Sequence, residues 1–294
     1  MERPIRNLLF ALSFVLAGLS PAKADGVSLT VELLRSAPDR YEAAATELRI
    51  SLTGGPPRKF TVDGTEYVGV YFRSGNSSDL YKIYREGKVT LLRIPNTPYR
   101  WRENLDFAAG IQSLRSRGFA TPEVFSPAAA TKLTTEVEYL PDFEEMGDVL
   151  IEIVRSPEDE ISRAKFAAIR DFVRDFGREY IPDGSAKNLG LDREGNRYVV
   201  KVVDTQFENW FPKANTPDQS EMGMIFSGIR EKIRDRLPIH PELHFEIERE
   251  LNTLSDLEHE AMSQVFPDFS RREVKLPPPA PNGPACLGLM RPHG

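Results

Sequence analysis

Residues 180–207 read YIPDGSAKNLGLDREGNRYVVKVVDTQF. Asp183 and Asn188 stand five apart before an apolar stretch, and Asp204 closes the second apolar stretch beyond the turn DREGN. Two short β-prone runs separated by a Gly-containing turn predict a β-hairpin. Its polar ends have two readings. They are ordinary turn and cap residues, or they are hard oxygen donors fixed at strand ends to hold a cation beside a phosphoryl donor.

Working outward, Ile169, Phe172, Val173, Phe176 and Tyr180 mark the buried stripe of a helix that precedes the hairpin. Residues 219–265 are mostly helical and charged, and IERELNTLSDLEHE is an amphipathic helix with a wet face. Residues 273–294 are too rich in Pro and Gly to pack and are expected to be disordered. Upstream, KFTV, EYVGVYF, DLYKIYR and KVTLLRI are strand-like runs punctuated by Asp63-Gly64, Gly75-Asn76 and Glu86-Gly87. They predict an antiparallel meander of four short strands. WRENLDFAAGIQSLRSRG then turns helical and stops at Gly118, and TPEVFS and LTTEVEYL resume strand character. Tyr41, Ala44, Ala45, Leu48 and Leu52 fall at helical spacing, so residues 25–59 are expected to be a helical extension and linker. No internal repeat is visible. The chain is thus α+β in two lobes, a small antiparallel-sheet lobe over 60–140 and a mainly helical lobe over 141–272, with a hinge near 138–142.

With 294 residues, 40% hydrophobic and 28% charged, the chain is long enough for one large domain or two small lobes. Its net charge of −6 argues against non-specific nucleic-acid binding, which needs clustered Lys and Arg. The start MERPIR, the apolar NLLFALSFVLAGL and the small-x-small pair Ala22 and Ala24 are expected to be a signal peptide cleaved after Ala24. The expected product is periplasmic or secreted, with no stable membrane span. Cys286 is the single cysteine, which excludes an internal disulfide. His240 and His244 stand four apart, but Pro241 marks a helix start and no third ligand accompanies them. There is no Gly-x-Ser-x-Gly nucleophile elbow.

The element order and the residues at element ends resemble the protein-kinase-like fold, which includes small-molecule kinases, over roughly residues 60–210. VGVYFRSGNSSDLYKI resembles the glycine-rich loop, although Gly75 alone keeps a glycine and Arg73 and Ser78 replace the others. Gly75, Ser77 and Ser78 are the expected phosphate-cradling positions. KVTLLRIP resembles the strand that carries the phosphate-binding Lys, and Arg93 stands in its place. The helix that follows offers Glu103 or Asp106 as the acid partner, with spacing favouring Asp106. TTEVEYLPD resembles the hinge, so backbone groups at Glu138 to Leu140 are expected to meet an adenine ring. By resemblance Asp183 accepts or orients a hydroxyl proton, Lys187 reaches the γ-phosphate, and Asn188 and Asp204 hold Mg²⁺.

The resemblance therefore implies ATP and Mg²⁺ as cofactors, and a hydroxyl acceptor on a protein or a small molecule. The departures point the other way. Ile181-Pro182 replaces the usual His-Arg, Thr205-Gln206 follows Asp204 in place of Phe-Gly, and no Ala-Pro-Glu follows. An exported atypical kinase, a pseudokinase used as a binding or regulatory module, and an adaptor whose hairpins mimic the pattern all remain open. Export also separates a kinase from cytoplasmic ATP, which suits either an effector acting inside another cell or a module that does not catalyse.

Overall fold

The computed structural model describes residues 23–179, 181, 185–205 and 213–279. Residues 1–22 of the expected signal peptide, which runs to Ala24, lie outside them, as do Asp183 and residues 280–294 of the expected tail. The chain divides into two units: the first runs to Pro141 and includes Asp204 and Thr205, and the second contains Asp142–Val203 and the remaining C-terminal residues. Both units mix strands and helices, as an α+β chain requires.

In unit 1 the strands are β1 (Lys23–Leu29), β2 (Arg58–Val62), β3 (Thr65–Ser74), β4 (Ser78–Arg85), β5 (Lys88–Pro95), β6 (Val124–Ser126) and β7 (Thr135–Glu138). They form one sheet in the order β1-β2-β3-β4-β5-β7-β6. The β2–β5 meander follows from its turns. Asp63-Gly64 and Glu86-Gly87 each place two consecutive residues at positive φ, 50° and 75°, then 50° and 77°. Two-residue hairpins favour this geometry because its twist matches that of the strands.

The N-terminal segment departs from expectation. It carries a strand as well as the expected helices: β1 pairs parallel with β2, and helices α1 (Val31–Ser36) and α2 (Pro38–Leu52) pack on the sheet. Tyr41, Ala45, Leu48 and Leu52 form one helical stripe, buried with Phe60, Val62, Tyr67, Tyr81, Ile83, Leu92 and Ile94. Each large side chain buried here contributes about 1.5–3 kcal/mol. Asp63 fastens the segment. Its carboxylate accepts the Val31 N–H at 3.0 Å and the Leu133 N–H at 2.6 Å, while its own N–H donates to the Leu29 carbonyl at 2.8 Å. Such long-range pairing leaves no local periodic signal, which is why the sequence shows only the helices. A second apolar cluster, Phe107, Ile111 and Val137, joins helix α3 (Trp101–Ser116) to β5 and β7.

Unit 2 holds a three-stranded sheet, β10-β9-β8, from β8 (Glu144–Glu145), β9 (Leu189–Glu194) and β10 (Arg197–Val202). The β9–β10 hairpin turns at Gly195, φ 64°, as the quoted stretch predicts. Its helices are α4 (Met146–Arg155), α5 (Glu160–Phe176), α6 (Glu221–Arg234) and α7 (His244–Ser263). Asp159 caps α5 by accepting the Ile161 and Ser162 N–H groups, and the α5 stripe Ile169, Phe172 and Val173 is buried as its spacing requires. Lys165, 3% exposed, bridges the Glu144 and Glu152 carboxylates at 2.6 and 2.8 Å.

Candidate functional site

Strand alternation decides where Arg93 points. Leu92 and Ile94 enter the core beneath α2, so Arg93 and Leu91 project from the other face of β5. Arg93 is nevertheless only 6% exposed. Its guanidinium carbon lies 3.8 Å from the centroid of the Phe107 ring on α3, and its Nη2 lies 3.3 Å from Asp204 Oδ1. Asp204 Oδ1 also accepts the Thr205 N–H at 3.0 Å. The Arg93 Nε has no hydrogen-bond partner among the described residues. A guanidinium carries five N–H donors in a planar fork, so one pinned between a ring and a single carboxylate oxygen keeps donors for an anion.

The acid expected on α3 does not fill the partner role. Asp106 is exposed, because the helix turns Asn104, Phe107, Ala108, Ile111 and Leu114 inward. Glu103 pairs with Arg100 one turn away. Charge reaches Arg93 from Asp204, and the helix supplies a ring.

The β3–β4 loop is closed on itself. Gly75 N–H donates to the Ser78 carbonyl at 2.8 Å, the Asn96 N–H donates to the Ser77 carbonyl at 3.2 Å, and the Asn96 amide donates to the Gly75 carbonyl at 3.2 Å. Ser78 is 2% exposed, and its hydroxyl has no partner among the described residues. The base of the loop carries a polar chain: Ser74 Oγ donates to Asp79 Oδ1 at 2.5 Å, and Tyr71 Oη lies 2.9 Å from the same Oγ. Burial pushes the Asp79 carboxyl up, against the lowering effects of Ser74 and of Arg49 at 3.9 Å. Burial likewise pushes the Tyr41 and Tyr81 phenols up.

At the expected hinge, Glu138 N–H is engaged by the Glu123 carbonyl at 2.8 Å, and its carboxylate accepts the Glu123 N–H at 3.1 Å. That N–H is therefore not on offer to a base, and Leu140, half-buried, is left from the expected pair. Tyr139, between them, accepts a hydrogen bond from Lys82 Nζ at 2.7 Å.

Asn188 and Lys187 belong to unit 2. Asn188 is 5% exposed, its N–H donates to the Ser185 carbonyl, and its carbonyl accepts the Val203 N–H, each at 2.8 Å. It thereby ties the base of the hairpin at the residue before Asp204. Lys187 is exposed. Asp183, the expected base, lies outside the described residues. Among the described residues no cluster of three or more His, Cys, Asp or Glu could hold a metal, and no helix is long and apolar enough to cross a membrane. Asp204 and Asn188 are hard oxygen donors of the kind Mg²⁺ takes, and both Asp204 contacts given above fall on Oδ1.

Sequence reasoning missed Phe107, Asn96 and Lys82. Phe107 shows only as one residue of an apolar stripe, and Asn96 carries no signal beyond following a strand.

No family model matches the chain, and no curated protein sequence matches it. Among solved structures, the chain is similar to WaaP in complex with acyl carrier protein, at 16% identity and a TM-score of 0.36 over 64% of this chain and 89% of that one. It is similar to the Helicobacter pylori proinflammatory kinase CtkA at 11% identity and a TM-score of 0.34, over 67% and 95% of the two chains. The Mycobacterium tuberculosis PknI kinase domain follows at 11% identity and a TM-score of 0.31, over 72% and 79%. These likenesses are partial, and the functional reading rests on the chain's own residues.

Proposed function

We propose that the chain is an exported, atypical kinase-like phosphotransferase that moves the γ-phosphoryl group of a nucleotide to a hydroxyl on a protein or small molecule. One observation carries this reading: a buried guanidinium, Arg93, held against Phe107 and against the carboxylate of Asp204. Phosphoryl transfer asks a protein mainly for positioning and charge neutralisation. Arg93 would hold the phosphates through its unused N–H donors. Asp204 and Asn188 would hold Mg²⁺, which when bound neutralises charge on the transferring group. Asp183 would orient the acceptor hydroxyl and take its proton.

The test is γ-phosphoryl transfer by the full chain from labelled nucleotide in Mg²⁺, with Asp183→Ala and Asp204→Ala as controls. Transfer abolished by both substitutions supports the assignment. Undiminished transfer in Asp204→Ala removes the metal role from that residue.

A second reading, a pseudokinase that binds without turnover, is favoured by the closed loop. Gly75 N–H donates to Ser78 and not outward, and Arg93 stands where the family carries Lys. It predicts nucleotide binding with no transfer, and gain of transfer in Arg93→Lys.

A further inference from the structure

A β-bulge breaks the alternation of β3. Tyr71 pairs with Tyr81 and Arg73 pairs with Leu80, so one residue on β4 answers two on β3 and Phe72 is the extra one. Bulges re-aim side chains and occur next to functional sites. Here the bulge leaves Tyr71 in the core with Tyr81, and puts Phe72 and Arg73 on the opposite face, where Leu80 and Arg93 point. Phe72 is 39% exposed. Lys82 Nζ lies 4.5 Å from its centroid and 4.3 Å from that of Tyr139, the two rings meet edge-to-face at 6.0 Å, and the Arg73 guanidinium lies 5.8 Å from Phe72. Lys82 pairs with Leu91 and Leu80 with Arg93, so Lys82 and Arg93 leave the sheet on one face, from backbone positions two residues, about 7 Å, apart along the strands.

A part-exposed aromatic ring with cations over it, one strand repeat from the row of a buried guanidinium, suits a ligand that is flat and aromatic at one end and anionic at the other. A nucleotide has that form. The ammonium then sets which base fits. It has three donors and no acceptor, and Tyr139 takes one donor. Guanine presents the adjacent acceptors O6 and N7, whereas adenine puts an amino donor beside N7. We propose that Phe72, Lys82 and Tyr139 form a nucleobase clasp that makes the chain prefer guanine to adenine nucleotides. Phe72 stacks on the base, Lys82 donates to O6 and N7, and Tyr139 holds the ammonium in place.

The inference rests on the nucleotide reading above, and one experiment separates the two. Binding of fluorescently labelled GTP and ATP to the full chain in Mg²⁺ is measured for the unaltered protein, Lys82→Met, Lys82→Gln and Phe72→Ala, each checked for folding by circular dichroism. The expected result is a preference for GTP of roughly tenfold, lost in both Lys82 variants, with Phe72→Ala weakening both nucleotides alike. Equal binding, an ATP preference, or a GTP preference that survives a folded Lys82 variant overturns the clasp and leaves the nucleotide reading standing. If neither nucleotide binds the unaltered protein, both fall.

Discussion

Arg93 and Asp204, far apart in the chain, meet at 3.3 Å inside unit 1, and the guanidinium of the pair is nearly out of water. Removing the acid leaves that cation without its charge partner. Because Asp204 is a third exposed and the Phe107 contact persists, Asp204→Ala is expected to destabilise the protein by about 1–3 kcal/mol, less than a fully buried pair would. Urea denaturation measures this. The same variant should lose any Mg²⁺-dependent rise in melting temperature on adding nucleotide. A rise that persists would remove Asp204 from the ion site.

Asp63 should matter as much to the fold as Arg93 does to the site. Its carboxylate accepts two backbone N–H groups, from the start of α1 and from Leu133. Hydrogen bonds to a charged group contribute about 1.5–3 kcal/mol each, so Asp63→Ala should lose about 3 kcal/mol and Asp63→Asn less. Asp63 also sits at φ 50°, a conformation Asn tolerates and Ala does not. Equal denaturation midpoints for the two variants would contradict this account.

Asp79 gives stability a pH dependence of unusual sign. Its carboxyl is raised in the folded state by burial, with Ser74 and Arg49 opposing and Tyr41 and Tyr81 nearby. The folded form therefore holds its proton to higher pH than the unfolded chain. The stabilisation is full below the ordinary Asp value and fades as pH rises through the folded one. Asp79→Asn should lack this fall and be more stable than the unaltered protein at pH 7. Melting curves between pH 3 and pH 7 for both proteins isolate the difference from other carboxylates, and parallel curves would refute it.

Gly190, on the hairpin that begins at Asn188, has no room for a methyl group. A Cβ there would meet the Glu144 carbonyl oxygen at 2.1 Å and the Phe143 ring at 2.5 Å. Gly190→Ala should separate β8 from β9 and cost about 2 kcal/mol or more, as overpacking does. Gly195→Ala, in open space but at φ 64°, should cost about 1 kcal/mol. Loss of amide protection at Glu145 in hydrogen exchange would mark the first variant and not the second.

The meander, the hairpin and the α5 stripe were legible because each is written locally, in alternation, paired turn residues and helical spacing. The pairing of β1 with β2 was not, since partners on either side of two helices leave no periodic mark. Arg93 and Asp204 could be named from motif resemblance, but the choice of Asp106 failed on helix phase. Spacing puts Glu103 and Asp106 on one side, and the burial of Phe107 decides which side meets the sheet. The clasp at Phe72 was hidden for a related reason. A bulge is one residue out of step, and YVGVYFRS carries no sign of where the step is missed.

The roof that α1 and α2 make over the sheet also bears on how unit 1 can be produced. A version trimmed to begin at Arg58 would leave Phe60, Val62, Tyr81 and Leu92 facing water along adjoining strands and would strip β2 of its neighbour. Such a fragment is a template for edge-to-edge aggregation. A version of this unit that keeps both the roof and the β1 neighbour of β2 begins no later than Lys23.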